Sequence, residues 1–410
     1  MTNTDAGELH LTGGQVLLDG ELRPADLVVR DGVVAEIAPP APGGPHEPSD
    51  GASVLDVAGQ VVAPGFVELQ INGAHGHDFT SDPTSVWRVG AELPAQGVTA
   101  FLPTIVSSPG EVVSRSFVVF AAGPPAGYRG ARVLGLHLEG PMLSPNRRGA
   151  HNPSQFRLPS FDLIAGWEPS AGVRLVTLAP ELPGAADVTR ELVSRGVVVS
   201  AGHSSASFEQ ARDGFAAGIT LGTHLYNAML GFGHRFPGLT GALLATPGVP
   251  ASVIADGVHV HPGAIEMAWQ AKGPEGLVLI TDAIAGAGRG DGSFRFGDYY
   301  VEVENGRATL PDGTLAGSVL TLDVALRNLV AATGCSLADA LATVTSTPAD
   351  VLGEGQVGRI EVGLPADLVV LDADLRVTTT LVAGEVVHDD REPFEQDVAP
   401  TAHDPGSGST

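Results

Sequence analysis

The sequence predicts an α/β protein built on a (β/α)8 TIM-like barrel, with a second small β-sandwich domain formed by both termini. Eight short apolar segments alternate with amphipathic or Ala-rich segments over residues 61–350. Near-continuous apolar strands that alternate with helices are typical of a parallel sheet covered on both faces. Eight such units favour a closed barrel. A doubly wound open sheet is the alternative that the same pattern allows.

The eight apolar segments each contain several Val, Ile, Leu, Phe or Thr residues, as expected of strands. They lie at residues 66–70, 98–102, 133–138, 174–179, 197–201, 219–223, 252–255 and 277–281. In a barrel of this kind the active site is built at the carboxyl ends of the strands. The polar residues that directly follow each segment are therefore the candidate site residues.

Both ends of the chain are rich in predicted strands. Residues 9–37 contain short β segments separated by Gly-containing turns, and residues 356–387 are similar. Two β-rich ends around a different middle predict one small sheet domain to which both termini contribute. The predicted organisation is residues 1–60 as the N-terminal portion of the β-sandwich, 61–350 as the catalytic barrel, 351–390 as the C-terminal portion of the β-sandwich, and 391–410 as a disordered tail rich in polar residues, Pro and Gly.

The composition excludes several classes of partner. Acidic residues number 47 against 22 basic ones, and the net charge of −25 disfavours nucleic acid and acidic membrane surfaces. The N-terminus lacks the basic and apolar regions of a secretion signal, and no apolar run approaches the roughly 20 residues that span a bilayer. Cys335, the single cysteine, excludes an intramolecular disulfide. We expect a cytoplasmic protein that acts on a small molecule.

Four predicted strands end in side chains suited to metal-dependent hydrolysis. Glu139, His203, His224 and Asp282 each follow one of these strands. Two imidazoles and a carboxylate, with a position left for water, form a known catalytic zinc arrangement. Asp282 is then free to accept and donate protons. We predict one divalent ion per chain, zinc in the first place, with iron or another divalent ion as alternatives because these donors suit several metals.

Several segments, in chain order over most of residues 8–387, carry a resemblance to a known family. Val61–Glu68 resembles the start of the first barrel strand in the amidohydrolase superfamily. The other matching segments resemble the N-acetylglucosamine-6-phosphate deacetylases of that superfamily: Leu136–Pro141, Gly149–Pro153, Ala201–Ser204, Thr223–Met229, Ala255–His259 and Leu315–Ser318. The resemblance implies the amidohydrolase type of barrel and hydrolysis of N-acetyl-D-glucosamine 6-phosphate to D-glucosamine 6-phosphate and acetate, a step of amino sugar catabolism.

The resemblance also implies roles for particular residues. Glu139, His203 and His224 would be the metal ligands, Asp282 the general acid and base, and His151 a catalytic group that polarises the acetamide carbonyl. The residues implied to bind the substrate are Ala150, His151, Asn227, Ala228, Arg235, His259, Leu315, Ala316 and Gly317. The family further implies a homodimer in which Arg235 is supplied to the neighbouring site.

The sequence departs from the wider superfamily where a second metal would bind. Superfamily members with two metals place His-x-His directly after the first strand, whereas this chain has Gln70 and Asn72 there. A displaced His-x-His occurs at His75 and His77, and a metal-binding role for that pair stays open. Phe236 replaces an acidic residue that the family often has after the arginine, with no predictable effect.

Two alternatives to this function remain open from the sequence. One is deacetylation of another N-acetyl hexosamine phosphate, such as N-acetylgalactosamine 6-phosphate, because an epimeric hydroxyl cannot be read from these residues. The other is a catalytically silent barrel that acts as a sensor. The presence of Asp282 beside the three expected ligands speaks against the silent barrel.

Overall fold

The computed structural model describes residues 8–40 and 52–391 of the chain. Its centre is a barrel of eight parallel strands, which confirms the predicted fold class. Barrel strands one to eight are Phe66–Ile71, Val98–Val106, Leu136–Glu139, Val173–Leu178, Val198–Ala201, Leu221–Gly222, Ala251–Val253 and Leu277–Leu279. Each pairs in parallel with the next along the chain, and the two-residue strand Arg132–Val133 adds to strand two. All eight coincide with the predicted segments to within a few residues.

The barrel strands are apolar because both of their faces are covered. All nine residues of Val98–Val106 are buried, as are all six of Phe66–Ile71. Helices follow most of the strands and pack around them. The α-helices of the described residues are Val86–Glu92, Gly110–Ala122, Ala185–Ser194, Phe208–Ala217, Gly238–Leu244, Pro262–Gly276, Leu322–Thr333, Leu337–Ala342 and Ser346–Leu352. In those same ranges, none of the helices is both long enough and apolar enough to cross a membrane.

The barrel closes differently where strand eight meets strand one. Near the carboxyl ends, the Asp282 N–H donates to the Gln70 carbonyl at 2.9 Å, and the Asn72 N–H donates to the Ala283 carbonyl at 2.7 Å. Towards the amino ends, the segment after helix Leu337–Ala342 lies between the two strands and accepts bonds from both of them. We call this boundary the seam of the barrel.

The two ends of the chain form one mixed eight-stranded sheet, as predicted for a small β domain built from both termini. Its strands are Leu9–Leu18, Glu21–Arg30, Val33–Ala38, Ser53–Asp56, Val61–Pro64, Leu368–Leu371, Val377–Val382 and Glu385–Asp389. Its core includes Leu27, Val62 and Leu368, all fully buried. Val61–Pro64, placed in the barrel by the predicted boundaries, pairs in this sheet with the first strand and with Leu368–Leu371. The predicted disordered tail lies outside the described residues except for Arg391.

A three-stranded antiparallel sheet that the sequence analysis did not predict follows strand eight. Its strands are Gly292–Phe296, Tyr299–Glu304 and Arg307–Thr309. The second strand alternates buried and exposed residues, and its turn to the third contains Asn305 and Gly306 with φ angles of 51° and 74°. Asn-Gly is the preferred sequence for a tight hairpin turn of this kind. This signal was present in the sequence.

Candidate active site

A cavity of about 550 Å³ opens at the carboxyl ends of the barrel strands. Among the predicted site residues, those that line it are Glu139, Ala150, His151, His203, His224, Asn227, Ala228, His259, Asp282, Leu315 and Gly317. Ala316 does not line the cavity and is fully buried. Arg235 does not line it either, because it lies exposed on the loop that follows strand six.

Three donor atoms meet at the floor of this cavity. Nε2 of His224 lies 3.0 Å from Oε1 of Glu139, and Nε2 of His203 lies 3.2 Å from the same oxygen. The two Nε2 atoms are 3.1 Å apart. In a tetrahedral zinc site, ligand distances of about 2.0–2.1 Å place neighbouring donor atoms roughly 3.3 Å apart. The triangle therefore has the size and the chemistry that a divalent metal requires.

His151 also reaches this cluster, with Nε2 3.4 Å from Oε2 of Glu139. Donor atoms of Glu139, His151 and His203 all lie within 4.8 Å of one another, so His151 is a second candidate for the third ligand. The backbone N–H of Ser107 donates to Nδ1 of His151 at 3.3 Å. Nδ1 is therefore the acceptor, and the proton of the neutral ring is on Nε2. A protonated Nε2 donates a hydrogen bond rather than a lone pair, which favours His224 as the ligand.

The two other imidazoles differ in how their Nδ1 atoms are held. Nδ1–H of His203 donates to the carbonyl of Arg147 at 2.9 Å, so the lone pair of Nε2 faces the cluster. Nδ1 of His224 is buried without a hydrogen-bond partner in the described ranges. Both residues sit just past a strand end with left-handed backbone, at φ angles of 45° and 35°. Such conformations are costly for non-glycine residues and concentrate at functional sites.

The charge of Glu139 suits a metal ligand. Burial raises the pKa of this carboxyl, but the adjacent imidazoles of His151, His203 and His224 outweigh burial and hold the pKa well below its usual range. Glu139 is therefore a carboxylate at neutral pH. An anionic oxygen and two imidazoles around one small space form a donor set for a divalent cation.

Asp282 lies beside this cluster and is held through one of its two oxygens. Oδ1 accepts hydrogen bonds from Nδ2 of Asn72 at 2.7 Å and from Nε2 of Gln70 at 3.2 Å. The backbone of Asp282 is left-handed, with φ 49°. Burial, followed by repulsion from the Glu139 carboxylate, raises the pKa of Asp282 to about 6. A carboxyl group that titrates near neutral pH can both accept and donate a proton.

Gln70 and Asn72, the two residues at which the sequence departs from the expected His-x-His, lie beside the two carboxyl groups. Nε2 of Gln70 also donates to Oε1 of Glu139 at 3.1 Å, so that one amide bridges the two carboxyl groups. The displaced histidines lie elsewhere. His75 packs against Gly288, and neither His75 nor His77 is among the residues that line the cavity.

The cavity walls carry polar and basic groups beyond the predicted set. Nδ1 of His259 is held by Oδ2 of Asp256 at 2.7 Å. Further lining residues are Asn146, Arg147, Arg148, Gly149, Ile254, Phe296, Arg307, Gly313 and Thr314. Phe296 and Arg307 come from the unpredicted three-stranded sheet. Ser107, Asp256 and Gln70 were also missed as partners of site residues, because such partnerships depend on how segments of the chain meet in the folded barrel.

Comparison with known proteins agrees with this fold. The amidohydrolase family model matches residues 61–387. Human N-acetylglucosamine-6-phosphate deacetylase is 42% identical over 400 residues, which cover 92% of this chain and 95% of the human protein. The crystal structure of the deacetylase of that name from Pasteurella multocida has a TM-score of 0.85 at 30% identity, and covers 92% of this chain and 99% of its own.

A Mycobacterium smegmatis N-acetyl-D-glucosamine-6-phosphate deacetylase mutant, solved in complex with N-acetyl-D-glucosamine-6-phosphate, has a TM-score of 0.85 at 36% identity. The match covers 93% of this chain and 100% of that one. Barrel, donor cluster and family match define the class of protein, and the chain belongs to the amidohydrolase family. Within that family it groups with the N-acetylglucosamine-6-phosphate deacetylases, which it matches over nearly its whole length.

Proposed function

We propose that this protein hydrolyses the acetamide of N-acetyl-D-glucosamine 6-phosphate to D-glucosamine 6-phosphate and acetate, a step of amino sugar catabolism. The observation that carries the proposal is the placement of Asp282, whose pKa is raised to about 6, beside a cluster of one carboxylate and three imidazoles. The names of relatives up to 42% identical support the substrate. The phosphate is charged and crosses bilayers poorly, so a cytoplasmic location belongs to the same proposal.

In this proposal, Glu139, His203 and His224 hold one divalent metal ion, zinc in the first place, with iron or another divalent ion as alternatives. Such an ion would polarise a carbonyl and lower the pKa of bound water to about 7. Nε2–H of His151 points into the same space. It donates to the acetamide oxygen as that oxygen gains negative charge, which stabilises the transition state.

Asp282 carries the proton in both halves of the reaction. It accepts a proton from the attacking water, and it then donates this proton to the nitrogen of the breaking amide bond. Amines leave poorly unless they are protonated, so the same group must act first as base and then as acid. Because Asn72 and Gln70 occupy Oδ1 of Asp282, Oδ2 is the oxygen that exchanges the proton.

We assign the sugar and its phosphate to the walls of the cavity. Asn227, Ala228, Leu315 and Gly317 contact the sugar, with Ala150 beside His151. Nδ1 of His259 is anchored by Asp256, which leaves Nε2 as the ring nitrogen available to a phosphate oxygen or a hydroxyl. A phosphate dianion at a protein of net charge −25 also needs a cationic partner, and arginine is the strongest donor for phosphate.

Arg235 supplies that cation from a second copy of the chain in a homodimer. Three observations support this assignment. Arg235 does not line the cavity of its own chain. It lies on an exposed loop that follows strand six. The two phenylalanines of that loop, Phe232 and Phe236, are 60% and 79% exposed, as expected of residues that become buried at an interface.

Acetate release from a set of N-acetyl sugars tests the proposed function. The set contains N-acetylglucosamine 6-phosphate, its galacto epimer, and N-acetylglucosamine without phosphate, each assayed with the parent protein and with Asp282→Asn. We expect the highest kcat/KM for the gluco phosphate and no significant release by the variant. A higher kcat/KM for the galacto epimer would instead identify N-acetylgalactosamine 6-phosphate as the substrate. Absence of turnover in metal-loaded parent protein would favour the silent sensor.

A further inference from the structure

Glu68 is a buried carboxyl group of the barrel that the proposed mechanism does not use. It lies on strand one and is 1% exposed. Its two oxygens accept backbone hydrogen bonds from residues on opposite sides of the seam. Oε1 accepts from the N–H of Gln70 on its own strand at 2.9 Å, and Oε2 accepts from the N–H of Thr281 at 2.9 Å. Thr281 follows strand eight, on the other side of the seam.

The position of Glu68 coincides with a gap in the backbone pairing of the seam. Below it, the carbonyls of Thr343 and Val344 accept from Leu279 N–H at 3.0 Å and from Val67 N–H at 2.7 Å, so the two strands do not pair directly. Above it, direct pairing begins at the bond from Asp282 N–H to the Gln70 carbonyl. The Thr281 N–H lies between these two regions. A buried N–H without a partner is strongly unfavourable, and the Glu68 side chain supplies the missing acceptor.

The hydrogen bond from Thr281 to Glu68 also constrains Asp282, the next residue in the chain. Strand one thereby holds two consecutive amides, that of Thr281 through Glu68 and that of Asp282 through the Gln70 carbonyl. On the other side, Ser318 donates its hydroxyl to the Thr281 carbonyl at 2.6 Å and its N–H to the Asp282 carbonyl at 2.9 Å. Asp282 has a left-handed φ of 49°, a conformation that persists only where the surroundings fix it.

We propose that Glu68 is a positioning residue that closes the barrel seam below Asp282 and thereby fixes Asp282 in its left-handed, reaction-ready conformation. The effect on catalysis rests on the proposed deacetylase function, whereas the closure of the seam does not. Burial, the largest influence, raises the pKa of Glu68 to about 8. An apolar side chain at position 68 would leave the N–H groups of Gln70 and Thr281 without acceptors.

Glu68→Gln in the metal-loaded protein tests the inference. The amide has nearly the shape of the carboxyl group, but only its oxygen accepts, so one of the two backbone bonds must be lost. In Glu68→Gln we expect amide hydrogen exchange to accelerate at least tenfold at whichever of Gln70 and Thr281 loses its acceptor. In Glu68→Leu, which removes both acceptors, we expect the same acceleration at Thr281 and Asp282. We also expect kcat of Glu68→Gln to fall roughly 10- to 100-fold, as for small displacements of a catalytic group, with KM changed less than about twofold and metal content unchanged.

Asp26→Asn is the matched control. Asp26 is buried in the terminal sheet, where it accepts from the Gly13 N–H at 3.0 Å, and it has no contact with the seam. Its substitution also turns a buried carboxyl into an amide, and we expect unchanged kcat and unchanged exchange at Thr281. If Glu68→Gln does not fold, Glu68→Asp keeps the carboxyl on a shorter chain and should show the same changes in milder form.

The proposal has two parts, the closure of the seam by Glu68 and the positioning of Asp282, and the measurements test each part separately. Unchanged exchange at Thr281 in Glu68→Leu, which removes both acceptors, overturns the closure of the seam by Glu68, whatever the activity. Accelerated exchange with unchanged kcat overturns the positioning role. If the parent protein releases no acetate from any substrate, the proposed function fails, whereas the exchange measurement still decides whether Glu68 holds the seam.

Discussion

Nδ2 of Asn72 lies 2.7 Å from Oδ1 of Asp282, the shortest of the side-chain contacts to this carboxyl group. The amide fixes the orientation of the carboxyl and leaves Oδ2 to exchange protons. In Asn72→Ala this donor is lost, and Gln70 at 3.2 Å is the remaining amide on Oδ1. We expect kcat to fall roughly 10- to 100-fold at unchanged metal content. Steady-state kinetics measure this change. Asn328→Ala is the control: it removes a side-chain hydrogen bond to the Ala255 carbonyl, and we expect it to keep kcat.

Asp282→Asn should separate binding from proton transfer. The variant keeps the size of the side chain but cannot accept a proton, so the rate should fall by roughly 10²–10⁴-fold or more. Bound metal and the affinity for substrate should persist, as measured by metal analysis and by calorimetric titration of the substrate. Loss of metal together with recovered turnover on resupply would instead make Asp282 a ligand.

The donor triangle predicts one tightly bound divalent metal per chain. Removal by a chelator should abolish activity, and resupply should restore it. His203→Ala and His224→Ala should each lose metal and activity together, because each removes one of the three donors. His151→Ala should lose activity but keep the metal, which elemental analysis of the purified variants can determine. Two equivalents of metal per chain, both required for turnover, would contradict the single site and make His75 and His77 candidate ligands of a second metal.

Arg235→Ala should raise KM for the phosphorylated substrate strongly and leave turnover of unphosphorylated N-acetylglucosamine nearly unchanged. Because the loop of Arg235 lies outside its own cavity, the substitution should act on the neighbouring site of a dimer. Mixing Arg235→Ala chains with Asp282→Asn chains should then restore some of the activity, since one site of each mixed dimer has both residues. A monomer in solution, or mixed dimers without recovery, would mean that the arginine does not act across an interface.

The raised pKa of Glu68 predicts a pH dependence of stability. Its ordinary value is 4.5 and the folded value is about 8. Between these two values the folded chain keeps a proton that the unfolded chain releases, so the free energy of unfolding should decrease as pH rises from about 4.5 to about 8. Glu68→Gln should lack this decrease. Urea unfolding of both proteins from about pH 5 to about pH 8.5 measures the difference, in which the titration of all other groups largely cancels. Parallel curves for the two proteins would disprove the prediction.

Strand periodicity carried most of the information that was predictable from the sequence. Glu139, His203, His224 and Asp282 could be found because each directly follows an apolar strand, and parallel strands in a barrel end at one rim. The structure brings all four to one cavity. This inference needs only the order of strands and not their precise packing.

The partners of these residues could not be found in the same way. The acceptor for His203 is the backbone carbonyl of Arg147, which any residue type would supply. Ser107, which decides the tautomer of His151, is brought near by the bend after strand two. Glu68 stood inside a segment that carried the family resemblance, yet its role depends on a gap in pairing that only the closed barrel reveals.

The three-stranded sheet of residues 292–309 has a consequence for how new substrates could be accommodated. It is one continuous stretch of chain, attached to the barrel after strand eight, and it places Phe296 and Arg307 on the cavity wall. None of the proposed metal ligands or proton carriers belongs to it. Exchanging this stretch between homologous enzymes, together with the residues Val106, Ala150 and Ile284 that share its core, should therefore change which sugars fit while the proposed metal ligands and proton carrier stay in place.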